Sequence, residues 1–177
     1  HLLPASDWDF VVVADTHYFA DPDHADADAV AEFPSRRVQG ERAAAVWQTI
    51  ADLDPAFIVH MGDLVQEYPG RPDFDRAQQE ALAQIDAVGL RDRIHFVAGN
   101  HDVGDKPDPT MPTHAVTEQD LTVHEVRFGS TYAQWQHGGL RFASLNSQIL
   151  NTNLPAAGQQ QAWLEELLNE DDDNLIL

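Results

Sequence analysis

Apolar and polar positions along the chain fall into two rhythms. Three short runs, Phe10-Val11-Val12-Val13-Ala14, Phe57-Ile58-Val59-His60-Met61 and Ile94-His95-Phe96-Val97-Ala98, are almost continuously apolar. Runs of that length without alternation mark strands buried on both faces. Between the first two, residues 41–53 carry Ala45, Val46, Ile50 and Leu53 at helical spacing and stop at Asp54-Pro55. Residues 74–88 repeat the pattern with Leu82, Ile85 and Val88 on one stripe and Gly89 as the stop. Further on, residues 132–136 and 140–145 alternate around His137-Gly138-Gly139, a hairpin signal. Residues 159–169 predict a last helix with Trp163, Leu164, Leu167 and Leu168 turned inward, and Asn174-Leu175-Ile176-Leu177 reads as the start of another buried strand.

The order is therefore β-α-β-α-β, an insert, then β-β-α-β. Strands alternating with amphipathic helices predict an α/β fold, with mixed, largely parallel sheets flanked by helices. The insert, residues 106–120, is rich in Pro, Thr and Asp and predicts a surface excursion. There are no internal repeats and no low-complexity linker.

Composition narrows the function classes. At 177 residues and 43% hydrophobic content, one domain with a proper core is expected. Acidic residues number 30 against 10 basic, nine of them Arg beside the single Lys106, for a net charge of −20. Such a surface repels polyanions and argues against nucleic acid as a partner, because affinity there comes from Lys and Arg neutralising phosphates. Adaptation of the surface to a salt-rich host is the plainer reading of the charge, since screening relieves the self-repulsion. No run of about 18 apolar residues is present, so no membrane span is expected. The absence of cysteine excludes disulfides and thiolate chemistry, and fits cytoplasmic, periplasmic or secreted settings alike. The start at His1, without Met or a leader, suggests a trimmed amino terminus.

The chemistry sits directly after the three apolar runs, at Asp15-Thr16-His17, Gly62-Asp63 and Gly99-Asn100-His101-Asp102. Open α/β sheets bind ligands at the carboxyl ends of their strands, so these clusters share one crevice. Carboxylate, imidazole and amide oxygen are the donors that hard and borderline dications accept. Two metals about 3.5–4 Å apart need a shared ligand, and Asp63 from the middle cluster is the natural bridge. Asp15 and His17 would then hold one ion and Asn100 the other through its carbonyl oxygen. The separations, 48 residues from Asp15 to Asp63 and 37 from Asp63 to Asn100, each accommodate one strand-helix-strand crossover. Taken singly, Asp15 and His17 read more readily as capping residues than as ligands, and Gly62-Asp63 as a common turn. The joint order and spacing favour the metal site.

At these residues the chain resembles the calcineurin-like metallophosphoesterases, whose pattern runs D-x-H, G-D-x-x, G-N-H-D/E, an isolated His, then G-H-x-H. A closer likeness runs from Gly62-Asp63-Leu64-Val65 through Pro69-Gly70-Arg71-Pro72 to Ala98-Gly99-Asn100-His101-Asp102-Val103-Gly104. It resumes at Gly138-Gly139-Leu140-Arg141-Phe142, Leu145-Asn146-Ser147-Gln148 and Gln161-Ala162-Trp163-Leu164. These stretches are similar to the branch of calcineurin-like Ser/Thr protein phosphatases that dephosphorylate kinases. The resemblance implies a layered sandwich, two metal ions drawn from Mn, Fe and Zn, and hydrolysis of phosphate esters. It also makes His101 the general acid, with Asp102 holding the loop or a supporting hydrogen bond.

Two departures stand out. The isolated His and G-H-x-H are absent, so the chain reads as the amino-terminal part of a longer domain. In calcineurin-type phosphatases an Asp-Arg pair follows the bridging Asp; here the positions hold Gln66 and Glu67.

Three functions follow from this reading. The first is a metal-dependent phosphomonoesterase acting on phosphoprotein or a small phosphate ester, with the dications supplying hydroxide near neutral pH. The second is a phosphodiesterase on cyclic nucleotides or phospholipid-type diesters; the third is a non-catalytic scaffold that kept the fold. Asn146 and Gln148, at the end of a hairpin strand, are candidates for a substrate contact or a structural role. His60 and His95 read as core histidines bonded to backbone, and His114, His124 and His137 as loop or hairpin residues. The stretch Asp21-Pro22-Asp23-His24-Ala25-Asp26-Ala27-Asp28, with Glu32, resembles a calcium loop only loosely, because Asp26 stands where the turn needs Gly. A solvated loop is the better reading.

Overall fold

The three apolar runs form one parallel sheet, β1 (Phe10–Val13), β2 (Phe57–His60) and β3 (Ile94–Phe96), in the order β1-β2-β3. This is a computed structural model, and it describes residues 8–20, 34–108, 110, 114–170 and 175–176. The loosely calcium-like stretch 21–32 lies outside the described residues. Central β2 is buried at all four positions, as an unalternating apolar run requires.

Alternate residues of β2 serve two layers. Ile58 points to helices α1 (Gln39–Leu53) and α2 (Phe74–Ala87), where it packs with Trp47 and Ile50 of α1 and Ala81, Leu82 and Ile85 of α2. Phe57 and Val59 point the other way and meet Val97 and Phe142. Phe142 belongs to a second sheet, in which β4 (Ala133–His137) pairs antiparallel with β5 (Leu140–Ser144), and β5 pairs parallel with β6 (Leu175–Ile176). The hairpin turn is Gly138-Gly139, both at positive φ (57° and 80°), the backbone a two-residue turn of matching twist needs. The arrangement is helices on a parallel sheet on a mixed sheet, as the sequence pattern predicts.

Two elements correct the sequence reading. Residues 118–128, placed partly in the surface excursion, form a helix numbered here after the single turn α3 (Asn100–Val103): α4 (Glu118–Phe128). Thr117 caps it, its Oγ1 accepting from the Asp120 N–H at 3.2 Å. His124 therefore lies on the buried face of a helix, and not in a loop. The last helix, α5 (Pro155–Asn169), begins four residues before the periodic pattern because Pro155 occupies its first turn, where a missing N–H is harmless. In α5, Leu167 is buried, whereas Leu168 is 55% exposed and faces out. No helix among the described residues is long and apolar enough to cross a membrane.

Two buried histidines make the fold acid-sensitive. Burial pushes the imidazoles of His60 and His124 down to about 4. Neither ring nitrogen of His124 has a hydrogen-bond partner among the described residues. Above about pH 6.5 both rings are neutral in the folded and unfolded chain alike. Below it the unfolded chain takes up protons that the folded chain refuses, so stability falls until the folded pKa is reached. His124→Leu removes one such group. Unfolding free energies from urea titrations of the variant and its parent should diverge in the variant's favour between pH 7 and pH 4.5, by on the order of 3 kcal/mol. A difference that stays constant with pH contradicts this account.

Candidate metal centre

The pairing of β1 with β2 does not stop where the strands end. Met61 N–H donates to the Val13 carbonyl (2.8 Å), Asp15 N–H to Gly62 (3.0 Å), His17 N–H to Asp63 (3.0 Å) and Tyr18 N–H to Leu64 (2.9 Å). Gln66 N–H returns to the Tyr18 carbonyl at 2.8 Å. To run side by side here the two loops twist Asp15, His17 and Asp63 into the left-handed region, at φ of 56°, 43° and 59°. L-residues enter that region at a cost, and such residues gather at functional sites.

A buried polar strut fixes the two loops from below. Thr16 Oγ1 donates to the Leu64 carbonyl (3.2 Å) and so accepts from His60 Nε2 (3.1 Å). His60 Nδ1 in turn accepts the Gly62 N–H at 3.3 Å. One tautomer of a neutral ring satisfies both bonds. His60 is thus a core histidine bonded to backbone, as its place in a strand suggests. His95 is half-buried and stacks on Trp135 at 4.0 Å.

The third loop enters through two glycines. A Cβ on Gly62 would lie 2.4 Å from Gly99 N, and a Cβ on Gly99 would lie 2.3 Å from Asp63 Oδ1. Backbone meets backbone at this point, so the loops after β2 and β3 share one small volume. Asp102, buried in α3, holds them together. Its Oδ2 accepts from Asp63 N–H (2.7 Å) and Gly99 N–H (2.9 Å), and its Oδ1 from Leu64 N–H (3.3 Å). Burial pushes the Asp102 carboxyl up to about 7, while the three N–H donors pull the other way.

Above this support the donor groups converge. His17 Nε2 stands 3.4 Å from Asp15 Oδ1 and 3.7 Å from Asp63 Oδ2. Ligand atoms of His17, Asp63 and His101 all lie within 4.8 Å of one another. His101 is held at two points: its backbone N–H donates to Asp63 Oδ1 (2.9 Å), and its Nδ1 donates to the Gln66 carbonyl (2.6 Å). A carbonyl can only accept, so the bond sets the tautomer and leaves Nε2 directed elsewhere. Burial lowers the His101 pKa, against the pull of the Asp63 carboxylate. The His101 ring lies between Tyr68 (4.2 Å between ring centres) and the edge of His17 (4.7 Å, near perpendicular). Asn100, beside it on α3, donates from Nδ2 to the Tyr68 hydroxyl at 2.8 Å.

Asp15, His17, Asp63 and His101 are therefore brought together, with Asn100 adjacent and Asp102 beneath. Asn146 is fully buried and caps a 3₁₀ turn, its side-chain oxygen accepting from Gln148 N–H (2.9 Å) while Gln160 bonds its backbone from both sides. Gln148 Oε1 accepts from Lys106 N–H at 3.4 Å. His114 in its loop pairs with Asp120 at 2.9 Å, and His137 ends a hairpin strand.

The calcineurin-like phosphoesterase family model matches residues 9–177. The chain belongs to that family. Among curated relatives, serine/threonine-protein phosphatase CPPED1 of Bos taurus is 34% identical over 118 residues, a stretch covering 64% of this chain and 34% of that protein. The proteins of the same name from Mus musculus and Homo sapiens are 32% and 31% identical, each match covering 65% of this chain and 35% of theirs. The matched stretch thus spans about a third of the length of these relatives. A crystal structure of a dimetal phosphatase from Danio rerio superposes with a TM-score of 0.51 at 15% identity, covering 89% of this chain and 51% of that one. At that identity the likeness is one of fold.

Within the family frame, three participants escaped the sequence reading. The Gln66 side chain departs from the calcineurin pattern, yet its backbone carbonyl positions His101, and a carbonyl leaves no signal in residue type. Tyr68 and Asp105 flank the site, and burial, followed by the charge of Asp105, raises the Tyr68 pKa. An aromatic residue directly before the Pro69-Gly70 turn, in a loop that must pass the crevice, was the available signal for Tyr68. Glu67 turns away to the Ala20 N–H (3.4 Å), and burial pushes its carboxyl up to about 7.

Proposed function

We propose that this chain carries the metal- and phosphate-handling site of a metal-dependent hydrolase of phosphate monoesters. The observation that supports it most is the convergence of Asp15, His17, Asp63 and His101 from three strand ends. The donor set fits a cation. Ligand atoms about 2.0–2.2 Å from a dication stand roughly 3–3.5 Å from one another, close to the spacing of His17 from Asp15 and Asp63. Asp63 also offers a second oxygen toward the α3 side, as a residue shared between two ions must. Asp15, His17 and Asp63 would hold one ion, Asp63 and Asn100 the other, with Mn, Fe or Zn all compatible with those donors. Bound dications would neutralise phosphate oxygens and make hydroxide available near neutral pH.

The remaining steps belong to the chain. His101, anchored through Nδ1 on Gln66, presents Nε2 to the leaving oxygen and, in its doubly protonated imidazolium form, would supply the Nε2 proton and fall back to the neutral Nδ1–H ring, help worth about 10²–10⁴-fold. Gln66 and Glu67 supply no guanidinium at their two positions, so bound dications would carry more of the task of meeting the phosphate's negative charge. A phosphorylated protein is the favoured substrate class, on the strength of relatives named as serine/threonine phosphatases.

The test is hydrolysis by the full-length protein with added Mn²⁺, using a mono- and a diester of one chromophore. The monoester is expected to be cleaved faster. Asp63→Asn and His101→Ala should each lower kcat by about 100-fold or more with unchanged far-UV circular dichroism. Full activity in both variants overturns the proposal, and preference for the diester redirects it to phosphodiester substrates.

A further inference from the structure

We propose that a cavity beside Tyr68 takes an acidic side chain of a phosphorylated protein substrate, with Arg71 as its counter-ion. The inference deepens the phosphoesterase reading above and rests on it. The loop 69–71 forms one wall, Phe74 and Asp75 of α2 a second, and Gln119, Asp120 and Val123 of α4 the third. The space is about 340 Å³, at the small end of the roughly 300–1,000 Å³ typical of ligand clefts. Tyr68 joins it to the candidate metal centre. Its ring lies 4.2 Å from that of His101 and its hydroxyl accepts from Asn100 Nδ2, while the next residue, Pro69, already lines the cavity. An extended peptide advances about 3.3–3.6 Å per residue, so a substrate held by its phosphate at the centre reaches the cavity within about four positions.

Charge decides what the cavity accepts. Asp75 Oδ1 accepts from Arg127 Nη2 at 2.7 Å. Asp120 Oδ2 accepts from the Thr117 hydroxyl (2.5 Å) and from His114 Nε2 (2.9 Å). Both lining carboxylates are therefore engaged. Arg71 is the one cation of the lining. Its N–H donates to the Tyr68 carbonyl and its carbonyl accepts from Phe74 N–H, each at 3.1 Å, so its backbone is fixed. Its guanidinium has no hydrogen bond or ion pair among the described residues. That is unusual in a chain with 30 acidic and 10 basic residues, where Arg76, Arg91, Arg93, Arg127 and Arg141 each meet a carboxylate. With its own acids spent, the cavity has charge left only for an anion, and the planar fork of a guanidinium matches a carboxylate.

Hydrolysis of paired phosphoserine peptides by the full-length protein with Mn²⁺ tests this, each pair differing only in Glu or Gln at one of the four positions on either side of the phosphoserine. At one of these positions the parent should show a kcat/KM about 3–10-fold higher for Glu, the worth of a partly exposed charge-assisted pair. Arg71→Gln should bring that ratio to about one, and Arg71→Glu should make a peptide with Lys at that position the preferred substrate. Arg91→Glu is the matched control. It makes the same change in net charge beside Asp86, about 18 Å along α2 from Phe74, and should keep the parent ratio. No preference for Glu in the parent overturns the inference. So does an equal fall for both peptides in Arg71→Gln, which would put the guanidinium on the phosphate itself. No hydrolysis of any peptide or of the chromogenic monoester by the parent would overturn the phosphoesterase reading, an outcome distinct from good hydrolysis that ignores the flanking acid.

Discussion

Asp102→Ala is expected to lower folding stability by about 3–6 kcal/mol, because it strands three N–H donors at once, two of them buried and one part-buried. The carboxylate is 4% exposed and accepts from Asp63, Leu64 and Gly99. Each donor left without a partner costs about 1–3 kcal/mol, reduced where the loops relax enough to admit water. The loss extends beyond stability, since the N–H of Asp63 is among the three and Asp63 is the residue proposed to bridge two ions. Asp102→Asn keeps the volume but swaps one acceptor oxygen for an NH₂ that opposes the donors, so it should fall between parent and Asp102→Ala. Urea unfolding at fixed pH measures both variants. A loss below about 1 kcal/mol for Asp102→Ala would show that these bonds are readily replaced by water.

Gly99→Ala should damage the fold and the candidate site together. The added Cβ would sit 2.3 Å from Asp63 Oδ1 and 2.7 Å from Asp63 N. The carboxylate can swing aside, but the backbone nitrogen cannot move without leaving Asp102. Overpacking of this kind costs about 1–3 kcal/mol. A shift of about 1 Å in a reacting group can cost on the order of 100-fold in rate, so hydrolysis should drop at least that far. Gly158→Ala is the matched control: it lies inside α5 with nothing within 4 Å of its added Cβ, and should gain about 0.5–1 kcal/mol. If both variants melt together and retain hydrolysis, the tight approach of Gly99 to Asp63 has no functional weight.

The parallel sheet was legible because β2 is buried on both faces and writes that fact as an unbroken apolar run. The donors were legible because a residue just past such a strand has few places to go. Helix α4 was not, because two of its three buried residues, Asp120 and His124, are polar, while Val126 faces solvent. Its periodicity is inverted by side chains whose burial depends on tertiary partners. The capping pair Thr117 and Asp120 and the Gly129 stop were its local signs. Strand ends drifted for a related reason: residues 14, 61, 97 and 98 stay apolar after the ladder gives way to loops that bond to one another. The second layer of the site was the least legible. Gln66 meets His101 through a carbonyl, and Tyr68 reaches Asn100 through a loop conformation that spacing cannot convey.

The left-handed backbone at Asp15, His17 and Asp63 sets activity against robustness. Each such residue forgoes roughly 1 kcal/mol or more that a glycine would recover at the same φ and ψ. Selection for stability alone would therefore favour glycine at each of these positions, one proposed ligand at a time. A relative of this chain that had lost its chemistry would be a sturdier protein, distinguishable by glycines at these three places.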